Sequence, residues 1–390
     1  MRLLHTSDWH LGRSLHGVDL LGHQAAYLDH LVELVDAERV DAVLVAGDVY
    51  DRAIPPVEAV TLLSETLARL ADRTTVVLTS GNHDSATRLG FGAALMRERV
   101  RVRTRVADLA TPVELPDDVL VYGLPYLDPD FARAELGGPD GPTARSHEAV
   151  VAAALDLVRA DAAARRTGVG GAPGRQVHPV VVAHAFVVGG AASESERDIR
   201  VGGVDQVPAG VFAGVEYVAL GHLHSPQQVS GPDGTVLRYS GSPLAYSFGE
   251  RAVPKSTVLV ELGGASPRTT LVPAPVPRRL SQVRGTLDEL LGAAGEPYLD
   301  DWLAVTVTDV ARPPDLYRRV RERFAHALVV QHEPQGAPTS TRAAAVHEAS
   351  DPLVVAADFV AHVTGARPDA AETAVLTRAY EDVLAAGASA

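Results

Sequence analysis

An α/β fold is predicted by two features of the first 275 residues. Short β-branched runs alternate with longer stretches whose apolar residues recur at helical spacing, and several of those runs stop at Asp, Asn or His. Beyond residue 275 the pattern changes to a compact β-α-β unit and then to two helices. With 390 residues, 46% of them apolar and 22% charged, the chain is long enough for two or three domains.

The strands are expected at 3–6 (LLHT), 41–47 (DAVLVAG), 75–81 (TVVLTSG), 119–124 (VLVYGL), 179–184 (PVVVAH), 215–221 (VEYVALG), 235–241 (TVLRYSG) and 256–262 (STVLVEL). Helices are expected over 22–38, 57–71 and 147–166, and residues 167–176 form a Gly-rich loop with no assignable chemistry. The proline-rich VPAPVPRR at 272–279 reads as a stiff linker, because proline fixes φ and removes donors that a sheet needs. The domains expected are a main domain at 1–275, a β-α-β cap at 276–334, a linker at 335–350 and a helical tail at 351–390. The two tail helices have apolar faces but too little chain for a core of their own, so they fold back on the cap or dock on another protein.

Composition narrows the chemistry. There is no cysteine, which excludes disulfides, thiolate zinc sites and cysteine nucleophiles, so any metal must be held by nitrogen and oxygen. A formal charge of −14 argues against non-specific coating of nucleic acid, while leaving room for a nuclease whose local field is set by divalent cations. Lys255 is the sole lysine among 35 basic residues. The start of the chain has no apolar signal-peptide stretch, and no apolar run reaches the ~18 residues that span a bilayer, so no membrane is expected and a cytoplasmic location is.

The strand ends carry the function. In YVALGHLHSPQ, His222 and His224 stand at i and i+2, which on an extended backbone turns both rings to one side. Strand 3–6 leads to Asp8 and His10, strand 41–47 to Asp48, strand 75–81 to Asn82 and His83, and strand 179–184 to His184. In an α/β sheet the carboxyl ends of strands are where sites are built. Asp8, His10, Asp48, Asn82, His184, His222 and His224 thus offer seven sulfur-free donors, enough for two ions with one carboxylate shared. Mn²⁺, Fe²⁺ or Zn²⁺ suit this set and Ca²⁺ does not. Two such ions promote in-line displacement at phosphorus, which makes metal-assisted phosphoester hydrolysis the expected reaction.

The ordered set DWHLG, GDVYD, GNHD, AHAF and GHLHSP resembles the calcineurin-like metallophosphoesterase superfamily. More narrowly, HTSDWHLG, YSGSPLAYSFGE (239–250), the cap and the tail are similar to the nuclease subunits of bacterial SbcC–SbcD DNA-repair complexes. The resemblance implies a metallophosphoesterase β-sandwich flanked by helices. It implies that Asp8, His10, Asp48 and His224 hold one Mn²⁺ and that Asp48, Asn82, His184 and His222 hold another, with Asp48 bridging. It further implies that His83 protonates the leaving 3′-oxygen, work that imidazole chemistry suits. Asp51 would orient His83, and Arg52 would bind phosphate. Also implied are 3′ to 5′ exonuclease action on duplex ends, endonuclease action on single strands and hairpins, and a homodimer joined to two SbcC-type ATPases. No G-x-x-x-x-G-K-[ST] loop occurs, so ATP dependence would come from that partner.

Plainer readings stand beside these. Asp51 alternatively caps the helix starting near Pro55 or Pro56, Asn82 alternatively serves a turn, and His184 alternatively packs in the core. Arg13 and His16 follow DWHLG closely enough to touch substrate, and Arg88 follows GNHD. The Arg–Val alternation at 97–105 fits either a DNA-tracking strand or a charged sheet edge that resists pairing. Two rival functions remain at this stage. One is a small-molecule phosphodiesterase or phosphatase, and the other is a non-catalytic scaffold, which would be expected to lack ligands.

Overall fold

The computed structural model describes residues 1–96, 98–139, 141–167, 176–193, 195–196, 206–276, 278–334, 352–364 and 367–387. Most of the Gly-rich loop expected at 167–176 and the linker expected at 335–350 lie outside the described residues.

The first half of the main domain runs β1 (Arg2–Thr6), α1 (Leu21–Glu38), β2 (Ala42–Ala46), α2 (Val57–Ala71), β3 (Thr75–Thr79), α3 (Ala86–Leu89) and β4 (Val100–Arg103). It continues through β5 (Val113–Glu114), β6 (Val119–Leu124), α4 (Pro129–Glu135), α5 (His147–Thr167), β7 (His178–His184) and β8 (Tyr217–Gly221). It closes with β9 (Gln227–Val229), β10 (Val236–Tyr239), β11 (Ser256–Glu261) and β12 (Arg268–Pro273). These strands make two six-stranded sheets, ordered β12-β11-β1-β2-β3-β4 and β9-β10-β8-β7-β6-β5.

The sheets face each other across an apolar layer, and the period-2 pleat sorts each strand between two cores. In β2, Ala42, Leu44 and Ala46 join the layer between the sheets with Val180, Val182 and Ala219, whereas Val43 and Val45 pack outward with Leu28, Leu31 and Leu63 of α1 and α2. On the opposite outer face Val150, Leu155 and Val158 of α5 cover Val181, Val218 and Leu220. The result is a β-sandwich with helices on both outer faces. The strands β1, β2 and β3 are mutually parallel, as are β6, β7 and β8, so their carboxyl ends emerge together.

Two expectations need correction. The linker expected at 272–279 begins inside β12, where Val272 and Pro273 pair with Thr257 and Ser256. An edge strand tolerates proline because one side of its ladder is unpaired. The cap also contains a strand that the β-α-β reading omitted: β13 (Leu280–Gly285), followed by α6 (Leu287–Leu291), joins β14 (Trp302–Val307), α7 (Leu316–Arg323) and β15 (Ala327–His332) in a sheet ordered β13-β14-β15. Its sequence, LSQVRG, carries only two large apolar residues, Leu280 and Val283, so its alternation is weak. The Arg–Val alternation falls on β4, the outermost strand of its sheet.

The chain forms two compact units, residues 1–306 with 314–331 and residues 307–313 with 332–390. Within the first, Leu280 and Trp302 of the cap pack with Leu15, Leu20, Leu244 and Phe248. Within the second, α8 (Pro352–Thr364) lies against α9 (Ala370–Gly387), whose start is fixed by reciprocal bonds between Asp369 and Glu372. Val354, Phe359 and Val375 are exposed on this pair.

Candidate metal centre

Loops leaving the parallel strands run beside one another. The amide of Asp8 donates to Gly47 O (3.0 Å), that of His10 to Asp48 O (3.0 Å) and that of Leu11 to Val49 O (2.9 Å). From α1, Gln24 Nε2 donates to His10 O (2.7 Å) and Trp9 O (3.1 Å), bracing the first loop. Asp8, His10, Asp48 and His222 all adopt positive φ (52°, 45°, 49° and 107°). Non-glycine residues hold that conformation only where their surroundings over-determine it, and such positions concentrate at functional sites.

Glycines make the room. A Cβ on Gly81 would lie 2.1 Å from Asp48 Oδ1, and one on Gly221 would lie 1.8 Å from Ala46 O.

All seven donors expected from the sequence converge here. Asp48 Oδ2 is 3.5 Å from His184 Nε2, 3.6 Å from His10 Nε2 and 3.9 Å from His83 Nε2. His10 Nε2 faces His224 Nε2 at 3.1 Å. Asn82 Oδ1 lies 2.9 Å from His184 Nε2 and 3.2 Å from His222 Nδ1. Asp8, His10 and His224 present ligand atoms within 4.8 Å of one another, as do Asp8, Asp48 and His184, and also His10, Asp48 and His83.

Burial sets the electrostatics of the cluster. Burial and the charge of Asp48 push the Asp8 carboxyl well above the usual range. Burial works against the Asp48 carboxylate too, yet its pKa is held low, with the amide of His83 donating to its Oδ1. Burial drives the pKa of His222 down to about 3 and depresses those of His10 and His184, so these imidazoles are neutral with lone pairs available. Two carboxylates, four imidazoles and an amide oxygen turned on one buried volume fit a pair of borderline divalent ions.

His83 is fixed at both ends: its amide donates to Asp48 Oδ1 (2.8 Å) and its Nδ1 donates to the main-chain oxygen of Asp51 (2.8 Å). The Asp51 contact to His83 therefore runs through the backbone, while the Asp51 carboxylate lies 3.7 Å from both His10 Nδ1 and Arg13 Nη1. Asp51 does not cap α2, whose N-cap is Pro56. Arg13 stands at the cluster wall, its guanidinium 4.8 Å over the Tyr246 ring. Arg52 is exposed, and Arg88, also exposed, donates to Ala53 O (3.2 Å). His16 stacks obliquely on Phe248 at 5.3 Å, outside the cluster.

Residues 1–141 match the family model for calcineurin-like phosphoesterases, and residues 276–364 match the model described as the type 5 capsule protein repressor C-terminal domain. The chain is 35% identical to the SbcD component of nuclease SbcCD from Rhodobacter capsulatus, an alignment covering 100% of this chain and 94% of that protein. The chain belongs to the SbcD nuclease family. As an SbcD member it is a metal-dependent phosphodiesterase. Among solved structures it is similar to TT1561 of Thermus thermophilus (13% identity, 69% of this chain and 98% of that one, TM-score 0.40). It is also similar to a dimetal phosphatase from Danio rerio (13% identity, 70% and 98%, TM-score 0.39).

Sequence reasoning missed several residues around this SbcD centre. Asp84, inside GNHD, accepts the amides of Gly81 (2.9 Å), Val49 (3.0 Å) and Tyr50 (2.9 Å), tying two strand ends together. Burial and the Asp48 charge raise its pKa to about 7. Tyr246 Oη donates to Trp9 O (2.5 Å) and its ring meets those of His10 and His224 edge-on. Ser195 and Glu250 reach His224 from outside the five motifs. The lone lysine, the presence of Asp84 in GNHD and that of Tyr246 and Glu250 in YSGSPLAYSFGE were the sequence signals; Ser195 had none. Among the described residues no helix is long and apolar enough to cross a membrane.

Proposed function

We propose that this SbcD member is the two-metal DNA nuclease subunit of an SbcC–SbcD type complex, acting in DNA repair, recombination and replication in the cytoplasm. The observation that carries the reading is the convergence of Asp8, His10, Asp48, Asn82, His184, His222 and His224 on one buried volume, with His83 locked to Asp48 beside it. In this reading one ion is held by Asp8, His10, Asp48 and His224, and the other by Asp48, Asn82, His184 and His222. Mn²⁺ is the preferred ion. When bound, the pair supplies Lewis-acid polarisation of the phosphoryl group and a water of lowered pKa.

The chain's own groups do the rest. The backbone oxygen of Asp51 accepts the Nδ1 proton of His83, so in the imidazolium form it is the second proton, on Nε2, that is delivered to the departing oxygen and the ring returns to its neutral Nδ1–H form. Asp51 and Arg13 frame the approach, and Arg52 and Arg88 meet the phosphate backbone from the exposed rim. A cleft of about 580 Å³ beside Asn82 is lined by Tyr126 and the exposed Phe131, surfaces on which bases stack. That cleft favours a polymer over a small diester as substrate.

Duplex ends cut 3′ to 5′ and single strands or hairpins cut internally are the proposed activities. The tail, 351–390, is the proposed contact for an SbcC-type ATPase, because Val354, Phe359 and Val375 leave an apolar face uncovered. A homodimer within a heterotetramer is supported by a second apolar face, where Val60, Leu67, Phe91 and Met96 line one groove and Phe91 is 86% exposed. The test is hydrolysis of an end-labelled duplex and of an aryl phosphodiester in Mn²⁺. Duplex shortening supports the reading. Cleavage of the diester alone, even with the ATPase and ATP added, favours the small-molecule rival.

A further inference from the structure

Behind His224 runs a chain of groups, from half-buried Ser195 to buried Glu250 and Lys255, that the hydrolytic reading does not use. His224 Nδ1 lies 2.5 Å from Ser195 Oγ, that hydroxyl donates to Glu250 Oε1, and Glu250 Oε2 pairs with Lys255 Nζ. Glu250 is fully buried and Lys255 is 5% exposed. Lys255 Nζ also donates to the main-chain oxygen of His224 (3.0 Å) and to Ser242 Oγ (2.9 Å). One ammonium thus holds both the backbone of His224 and the carboxylate behind its ring. The amide of His224 is fixed as well, donating to Glu196 Oε1 at 2.8 Å.

Burying an ion pair gives little stability over an apolar pair of the same volume, so its use here calls for another explanation. The sole lysine of the chain stands at this position. An ionised Glu250 only accepts, so the one proton of Ser195 goes to it and the Ser195 oxygen must accept from His224 Nδ1–H. That choice leaves the lone pair on Nε2, the nitrogen turned toward His10. The counterpart across the site differs: His184 Nδ1 donates to a neutral backbone oxygen, Ala46 O, at 2.9 Å. The two halves of the centre therefore have unlike outer supports, a carboxylate relay on one side and a peptide carbonyl on the other. A carboxylate behind a ligating imidazole raises its donor strength and fixes its direction.

We propose that Ser195, Glu250 and Lys255 are positioning residues that orient and strengthen His224 as a ligand, selectively tightening the ion held by Asp8, His10 and His224. The proposal rests on the two-metal reading above.

The test is Mn²⁺ titration of the full-length protein, followed by electron paramagnetic resonance of the free ion, with melting temperature measured alongside. The variants are Ser195→Ala and the charge-neutral double substitution Glu250→Gln/Lys255→Met, so that a folding failure of the buried pair leaves Ser195→Ala as a working probe. We expect the wild type to bind two ions. Each variant should keep one at wild-type affinity and weaken the other, by about 10- to 100-fold in the double variant and by less in Ser195→Ala. In metal-free protein, ¹⁵N shifts of the His224 ring should move away from the Nδ1–H tautomer in both. Two ions at wild-type affinity in the variants would overturn the relay, as would equal weakening of both ions together with a lowered melting temperature. A wild type that binds fewer than two ions would instead overturn the two-metal reading, and the relay with it.

Discussion

The backbone amide of His83 donates to Oδ1 of Asp48 at 2.8 Å, so the proposed bridging carboxylate is fixed to the chain of the proposed proton donor whatever rotamer the His83 ring takes. A substitution of the imidazole therefore removes chemistry while leaving that main-chain bond in place. His83→Ala should lower hydrolysis of both duplex and aryl diester by about 10²- to 10⁴-fold, with Mn²⁺ stoichiometry unchanged. Loss of an ion in the variant would instead make His83 a ligand, as its grouping with His10 and Asp48 allows.

Gly81→Ala should disable the centre without touching a functional side chain. Its Cβ would meet backbone and carboxylate atoms of Asp48 at 2.3 and 2.1 Å, and neither can retreat from the packed loop. Mn²⁺ affinity should fall at least about tenfold. Gly210→Ala, where nothing lies within 4 Å of the added atom, serves as the control and should bind metal normally.

His5 gives the protein an acid-sensitive core. Between the sheets its Nδ1 accepts from Tyr217 Oη (2.9 Å) and its Nε2 donates to Leu220 O (3.1 Å), and burial lowers its pKa to about 3. The unfolded chain, with an ordinary histidine near 6.5, binds more protons across this interval. Stability that is fully present above pH 6.5 is lost as pH falls toward 3, by an amount on the order of a few kcal/mol. Melting temperatures of metal-free His5→Gln should fall less steeply over this range than those of the wild type; parallel curves would sink the assignment.

Removal of residues 351–390 should leave Mn²⁺-dependent cleavage of the aryl diester at wild-type rate and abolish binding of the SbcC-type ATPase. Co-sedimentation with the ATPase measures the second effect, and retained binding would move the contact elsewhere.

The sequence by itself determined the α/β class and the seven candidate donors, because the short β-branched runs at 41–47 and 179–184 and the Asp, Asn or His that ends each run are local features. Asp8, Asp48, Asn82, His184 and His222 could be read as one site because parallel strands bring their carboxyl ends together whatever the loops do. Strand β13 is hidden in the sequence because Leu280 and Val283 give too weak an alternation, and the prolines from 273 onward read as a linker although Pro273 belongs to β12, where the sheet edge tolerates it. What only the tertiary structure decided is the setting of those donors. Ser195, Glu250 and Lys255 lie 29, 26 and 31 residues from His224 and meet it through folding alone. The division of Asp51 between a carbonyl for His83 and a carboxylate for His10 and Arg13 depends on loop geometry at a distance of a few ångströms. Periodicity encodes which face a residue takes; it carries no information about which distant side chain that face will meet.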